Sequence, residues 1–182
     1  MTPIAKDHPL RRLFAGQVEQ VFCAEVGMCD PRLTDYMVDP LVDFTRMDRL
    51  VVLRNAAEKT LEQVAVQLML HETQRPLNEQ ERDCTVYRHI GDYSLFWAGM
   101  YPEHLRAASR KSTDLFLNYV AQGKKSYAIV SEMAGDSYVP PPVLFRNLSD
   151  EFETCLHGLG LVRKSWETAP PLGPDFAGEI LY

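Results

Sequence analysis

The sequence predicts an all-α protein, an irregular bundle of about six to eight helices around a buried central helix at about 78–101. Apolar residues recur at helical spacing along most of the chain, and strand-like alternation is almost lacking. The segment YSLFWAGMY at 93–101 is apolar or aromatic on every side of a helix, which is typical of a helix surrounded by others. We expect a single helical domain at 1–167, followed by a proline-rich C-terminal tail at 168–182.

The first part of the chain predicts three amphipathic helices. The first covers 10–26, where apolar residues form one stripe. The second begins with Asp30 as N-cap and Pro31 in the first turn, an arrangement that satisfies free backbone amides. Pro40 is expected to break or restart this helix because it lacks an amide hydrogen. The third, at about 56–71, turns one set of apolar residues inward: Leu61, Val64, Ala65, Leu68 and Met69.

After the central helix, the pattern predicts three more helices. Two of them, at about 112–121 and 125–133, are expected to be separated by a break at Gly123. The stretch SYVPPPVLF predicts a stiff extended connector. A final helix is expected at about 142–159, with four large apolar residues on one face: Phe145, Leu148, Phe152 and Leu156.

Charge and cysteine usage narrow the classes of partner and compartment. Twenty-five acidic against nineteen basic residues give a net charge of −6, so we expect neither a nucleic-acid nor a membrane partner. The four cysteines are scattered without a C-x-x-C pair, which indicates buried thiols. The N-terminus lacks the apolar core of a secretory signal, and no apolar run approaches the roughly 18 to 20 residues of a membrane span. A cytoplasmic location is therefore expected.

The stretch RHIGDYSLFWAGMYPEHL at 88–105 carries the candidate polar site. His89 and Asp92 are three residues apart, so their side chains share one helical face. Near a buried segment they need partners, because an unpaired charge or polar group there is costly. In the structural interpretation, Asp92 accepts hydrogen bonds from His89, from a tyrosine such as Tyr119 or Tyr127, or from a free amide at another helix end.

The functional interpretation is an acid and base pair, or two metal ligands completed by Glu103, His104 or His71. Zinc normally takes three or four protein ligands, and spacings such as H-E-x-x-H are missing from the sequence, so no metal site and no cofactor are predicted. Glu103 also has a simpler role, because a carboxylate in the first turn of a helix is favoured by the helix dipole.

Two glycines of the central helix predict close packing. Gly91 and Gly99 are eight residues, about two turns, apart and therefore lie on one face, where another backbone can approach. Phe96 and Trp97 are expected to fill the core around them. These four residues are predicted to pack the core or to line a pocket.

Two segments together resemble a family of bacterial proteins without an established activity. In that family a Y-x-V-x-x-L-V-x-F segment precedes an H-I-G-D-x-x-L-F-x-x-G-x-x-P-E segment. YMVDPLVDFTRMDRL at 36–50 and the stretch at 88–105 are similar to them, over about half of the chain. The resemblance implies no activity, cofactor or partner.

Two functional hypotheses follow. The first is a non-catalytic cytosolic helical protein, a homodimer, that binds a protein partner or a small apolar ligand. Ile180, Leu181 and Tyr182 are then expected to dock on a neighbouring subunit. The alternative is a helical-bundle enzyme, or a metal- or cofactor-binding protein, that uses His89 and Asp92.

Overall fold

The computed structural model describes residues 9–45, 61–72, 77–108, 114–135 and 138–168. These residues form eight α-helices and no strand. The helices are α1 (Pro9–Val21), α2 (Pro31–Thr45), α3 (Leu61–Glu72), α4 (Glu79–Met100), α5 (Pro102–Ala108), α6 (Leu115–Met133), α7 (Pro142–Asp150) and α8 (Phe152–Thr168). A π-helical turn, Phe22–Val26, continues α1. The all-α prediction is confirmed.

Helix α4 is the central element of the bundle. It begins at a capping box in which Asn78 accepts from the Glu81 amide at 2.8 Å and Glu81 accepts from the Asn78 amide at 3.1 Å. Every residue from 89 to 100 is buried apart from Trp97, which is half-buried. The helix packs most extensively on α6 and also contacts α2, α3, α5 and α8. The predicted central helix at about 78–101 therefore matches α4.

Helix α2 starts as the sequence predicts but does not break at Pro40. The Asp30 carboxylate accepts from the Arg32 amide at 3.0 Å, and Pro31 is the first helical residue. Pro40 lies inside the continuous helix Pro31–Thr45, so the predicted break is wrong. Several apolar side chains around the proline are buried in the core, and their burial outweighs the loss of one backbone hydrogen bond: Tyr36, Met37, Val38, Leu41 and Val42.

The predicted break at Gly123 is also wrong, because α6 is one continuous helix. A Cβ placed on Gly123 would lie 2.5 Å from the ring of Phe152 and 2.8 Å from Cβ of Ser94. Glycine is needed there so that α4 and α8 can approach α6 closely. The residue that suggested the end of a helix is therefore a packing position.

The final predicted helix, 142–159, is two helices. Glu151 leaves the helical region with φ −102° and ψ 24°, and its amide donates to the Asn147 carbonyl as α7 ends. Helix α8 then continues to Thr168. The change of direction takes α8 to α1, where Trp166 packs on Phe14 with ring centroids 4.8 Å apart.

Some predictions fall on residues beyond this description. The start of the third predicted helix, at 56–60, and residues 169–182 of the predicted tail lie outside the described residues. Within the described ranges, no helix is both long and apolar enough to span a bilayer.

Candidate functional site

A buried carboxylate–tyrosine cluster, formed by Tyr36, Asp92 and Tyr127, lies beside the central helix. Oδ1 of Asp92 accepts hydrogen bonds from the Tyr36 hydroxyl at 2.6 Å and from the Tyr127 hydroxyl at 2.8 Å. Only 9% of Asp92 is exposed, and both tyrosines are buried. The three residues come from α2, α4 and α6, so the cluster joins three helices through one oxygen atom.

Burial and charge fix the protonation of the two tyrosines. Burial raises the pKa of Tyr36 and of Tyr127 well above the usual value, and the negative charge of Asp92 raises both further. The positive charge of Arg88 opposes this rise at Tyr36. At neutral pH both tyrosine hydroxyls are therefore protonated and can donate hydrogen bonds. A carboxylate accepts hydrogen bonds, so it needs donors of this kind.

Aromatic packing surrounds the cluster. The ring of Phe145 lies 5.5 Å from Tyr36, 5.9 Å from Tyr127 and 6.1 Å from Tyr138, measured between centroids. His89, one turn before Asp92, is only 4% exposed. The carboxylate is thus buried beside aromatic rings, where the charge-assisted hydrogen bonds from the two tyrosines are strong.

The two glycines of the central helix are covered by side chains from other helices. A Cβ on Gly91 would lie 2.5 Å from Cε1 of Tyr127, and a Cβ on Gly99 would lie 2.8 Å from Cβ of Leu159. The nearest atoms at both positions belong to side chains, a ring of α6 and a leucine of α8, whereas the sequence predicted the approach of another backbone. At these two positions the space beside α4 is occupied by the side chains of Tyr127 and Leu159 and does not form a pocket.

The other candidate polar residues lie elsewhere. Glu103 and His104 are exposed on α5, whereas His89 and Asp92 are buried in α4. The Glu103 carboxylate accepts from the Arg163 guanidinium at 2.6 Å. Partial burial opposes ionisation of Glu103, but hydrogen bonds from its own amide and from Arg163 lower its pKa overall.

The four candidate polar residues therefore occupy two separate places. The side chain of His71 is not among those described. In the parts of the chain that the structure describes, no three His, Cys, Asp or Glu side chains converge as ligands for a metal ion.

A second feature is an aromatic surface, which we define as Tyr93, Trp97, Tyr101, His104 and Tyr119. Ring centroids are 6.2 Å apart between Tyr93 and Trp97, 5.6 Å between Trp97 and Tyr101, and 5.7 Å between Tyr101 and His104. Tyr119 of α6 adds a ring 6.0 Å from Tyr93. Tyr93 is buried, Trp97 and Tyr101 are half-buried and His104 is exposed, so the series runs from the core to solvent.

Two arginines stack on rings at or beside the aromatic surface. The guanidinium of Arg163 lies 4.9 Å from the Tyr101 ring centroid, and that of Arg106 lies 4.6 Å from the Phe116 ring centroid. Such cation–π contacts combine a charge with an apolar face.

Sequence reasoning missed both Tyr36 and this surface. The four-residue spacing of Tyr93, Trp97 and Tyr101 was the available signal, since residues four apart share a helical face. Tyr36 precedes Asp92 by 56 residues, and no local pattern pairs two such positions.

The fold and these two features define an all-α helical bundle with a buried, hydrogen-bonded carboxylate and an aromatic face. Comparisons with protein-family models, with curated proteins and with solved structures find no match.

Proposed function

We propose that this is a non-catalytic helical binding protein that acts as a homodimer through its aromatic surface. One observation carries the proposal: a continuous series of rings runs from buried Tyr93 to exposed His104, with charged residues of both signs beside it.

The residue types of the surface support a role in protein binding. Tyrosine, tryptophan and arginine are the residues most enriched among those that dominate the energy of protein interfaces. Here Trp97 and Tyr101 are half-buried, and Arg106 is exposed. Rings held by their neighbours lose little conformational freedom when a partner covers them, so binding costs less entropy.

The charges on the same face favour a second copy of this chain as the partner. A twofold interface brings one patch against itself, so the patch must be complementary to itself. Helix α5 presents both a carboxylate, Glu103, and a guanidinium, Arg106, one turn apart, and both are exposed. In a twofold arrangement each carboxylate can face the guanidinium of the other copy.

The interior supports binding over catalysis. The hydroxyls of Tyr36 and Tyr127 already occupy Oδ1 of Asp92. Glu103 and His104 lie on α5, away from His89 and Asp92. The alternative, a helical-bundle enzyme or cofactor-binding protein, would have to use His89 and Asp92 without Glu103 and His104.

Sedimentation velocity over a range of protein concentrations tests the dimer. The wild-type protein is expected to dimerise, and Arg106→Glu is expected to raise the dimer Kd by about tenfold or more by placing like charges opposite each other. The matched control is Arg82→Glu. Arg82 is exposed in the first turn of α4, whereas Trp97 of the aromatic surface lies near the C-terminal end of that helix.

Two results would overturn the proposal: a wild-type protein that stays monomeric at every concentration, or a dimer that both variants affect equally. A separate experiment measures dimerisation of the protein without residues 169–182. A weakened dimer would support the predicted docking of Ile180, Leu181 and Tyr182 on the neighbouring subunit.

We also propose a cytoplasmic location and an origin among bacterial proteins. The four cysteines are free thiols, which supports a reducing compartment. The bacterial origin rests on the two segments that resemble the bacterial family. The net charge of −6 supports a protein rather than nucleic acid or an anionic membrane as partner.

A further inference from the structure

The corner between the π-helical turn and α2 folds the chain back on itself. Gly27 adopts the left-handed conformation with φ 78°, and its amide donates to the Phe22 carbonyl. The amide of Met28 donates to the same carbonyl at 2.8 Å. Because residues 27 and 28 are held against residue 22, Cys29 is brought beside Cys23.

The two thiols therefore lie on the same corner of the chain. The interaction of Cys23 with Cys29, together with burial, raises the pKa of the Cys23 thiol to about 11. Both are free thiols, with Cys23 half-buried and Cys29 exposed to solvent. The other two cysteines, Cys84 and Cys155, are buried, with 1% and 0% exposure.

We propose that Cys23 and Cys29 are a modification site, a dithiol that forms a reversible intramolecular disulfide by exchange with a small-molecule disulfide such as oxidised glutathione. This inference does not depend on the proposed dimer. It rests on the fold-back at Phe22, the place of both cysteines on this corner and the exposure of Cys29.

The exchange has two balanced steps. Cys29 loses its proton to solvent and attacks one sulfur of the small disulfide, which breaks that S–S bond and releases one small thiol. Cys23 then loses its proton and attacks the Cys29 sulfur of the mixed disulfide, which releases the second small thiol. The protein dithiol is oxidised by two electrons, and the small disulfide is reduced to two thiols.

The position of the pair gives the disulfide a structural effect. Phe22, next to Cys23, packs so closely on α8 that a Cβ on Gly158 would lie 2.3 Å from its ring. A bond between Cys23 and Cys29 would cross-link the corner that carries this contact. We expect the oxidised protein to melt about 5 °C higher than the reduced protein, since a short closed loop constrains the unfolded chain.

The test uses the full chain, reduced and then equilibrated in native buffer with oxidised glutathione. Trypsin releases residues 13–32 as one peptide, and Cys23 and Cys29 are the only cysteines in it. Mass spectrometry is expected to show this peptide lighter by two hydrogens, with about tenfold more disulfide than glutathione adduct. Peptides that contain Cys84 and Cys155 are expected to stay unmodified.

Single variants distinguish the intramolecular bond from ordinary thiol reactivity. In Cys23→Ser the second step cannot occur, so Cys29 is expected to retain a glutathione adduct. In Cys29→Ser the half-buried Cys23 is expected to react more slowly than Cys29 does. The proposal is overturned if the wild-type peptide keeps the glutathione adduct, stays reduced, or appears in disulfide-linked dimers of the chain.

Discussion

At the scale of single residues, Asp92 shows how a charge is held inside a helical bundle. A carboxylate in the core is costly unless hydrogen bonds replace water. Two tyrosine hydroxyls do so, at 2.6 and 2.8 Å. Tyr36, Asp92 and Tyr127 lie on α2, α4 and α6, so their hydrogen bonds also favour one packing of these three helices over others. These hydrogen bonds support the structural interpretation of Asp92.

Removal of one hydroxyl tests this explanation. Tyr127→Phe keeps the ring against Gly91 but takes a donor from Asp92, and we expect it to lower the free energy of unfolding by about 1–3 kcal/mol. Asp92→Ala strands both hydroxyls and should cost about 2–4 kcal/mol. Urea denaturation measures both. The control is Tyr87→Phe, a half-buried tyrosine of α4. A functional Asp92 would instead leave stability unchanged or raised when replaced.

The tyrosines also predict a pH dependence. Burial, with the charge of Asp92, raises the pKa of Tyr36 and Tyr127 above the usual value of 10.0. Below pH 10 both tyrosines are protonated in the folded and the unfolded chain. Above pH 10 only the unfolded chain ionises, so the free energy of unfolding falls as pH rises. We expect this fall to be shallower in the Tyr36→Phe/Tyr127→Phe double variant. Equal slopes between pH 9 and about 11 would contradict the assignment.

At the scale of elements, glycines decide how closely the helices pack. Gly91 lies under Tyr127, Gly99 under Leu159 and Gly123 under Phe152, and in each case a Cβ would come within 2.8 Å of the neighbouring side chain. Glycine inside a helix destabilises that helix by about 1 kcal/mol relative to alanine. At these positions the missing side chain allows the contact with the neighbouring helix. Such glycines strengthen the bundle although each weakens its own helix.

Two alanine substitutions separate these effects. Gly91→Ala forces a methyl group into the Tyr127 ring, and we expect it to lower the free energy of unfolding by roughly 1–3 kcal/mol. Gly16→Ala is the control, since Gly16 lies in α1 with no atom within 4 Å of the added Cβ. It should raise stability by about 0.5–1 kcal/mol through helix propensity. If Gly91→Ala stabilised the protein as much as Gly16→Ala does, the packing argument would be wrong.

At the scale of the whole molecule, α1 and α8 close the bundle around α4. Trp166 of α8 packs on Phe14 of α1 and donates to the side chain of Gln17. Arg11 of α1, only 8% exposed, is hydrogen bonded to Asp35 and Asp39 of α2. These contacts connect residues far apart in the sequence, so we expect all described helices to unfold together.

The two tryptophans lie in different helices and test this cooperativity. Trp97 lies in the central helix, and Trp166 lies between α1 and α8. In Trp166→Phe and Trp97→Phe variants, the remaining tryptophan is expected to give the same urea midpoint by fluorescence as the helices give by circular dichroism. An earlier fluorescence transition for Trp166 would show that α1 and α8 separate from the bundle first.

Local sequence predicted a good part of this fold and less of the candidate site. The all-helical class, the central helix and the cap at Asp30 followed from spacing and from a side chain that bonds to a nearby amide. Tyr127 was among the partners expected for Asp92. In the functional interpretation, Glu103, His104 or His71 would complete a metal site with His89 and Asp92. Glu103 and His104 lie on the surface of α5.

The helical segments and the central helix among them are predictable from the chain, because helical hydrogen bonds and apolar periodicity are local properties. Contacts between helices are needed to explain why α2 continues through Pro40, why α6 continues through Gly123, and how Tyr36 reaches Asp92. At Pro40 and Gly123, burial against residues distant in the chain outweighs a local preference of a few kcal/mol at most. The energies that settle these features arise only once the helices are in contact.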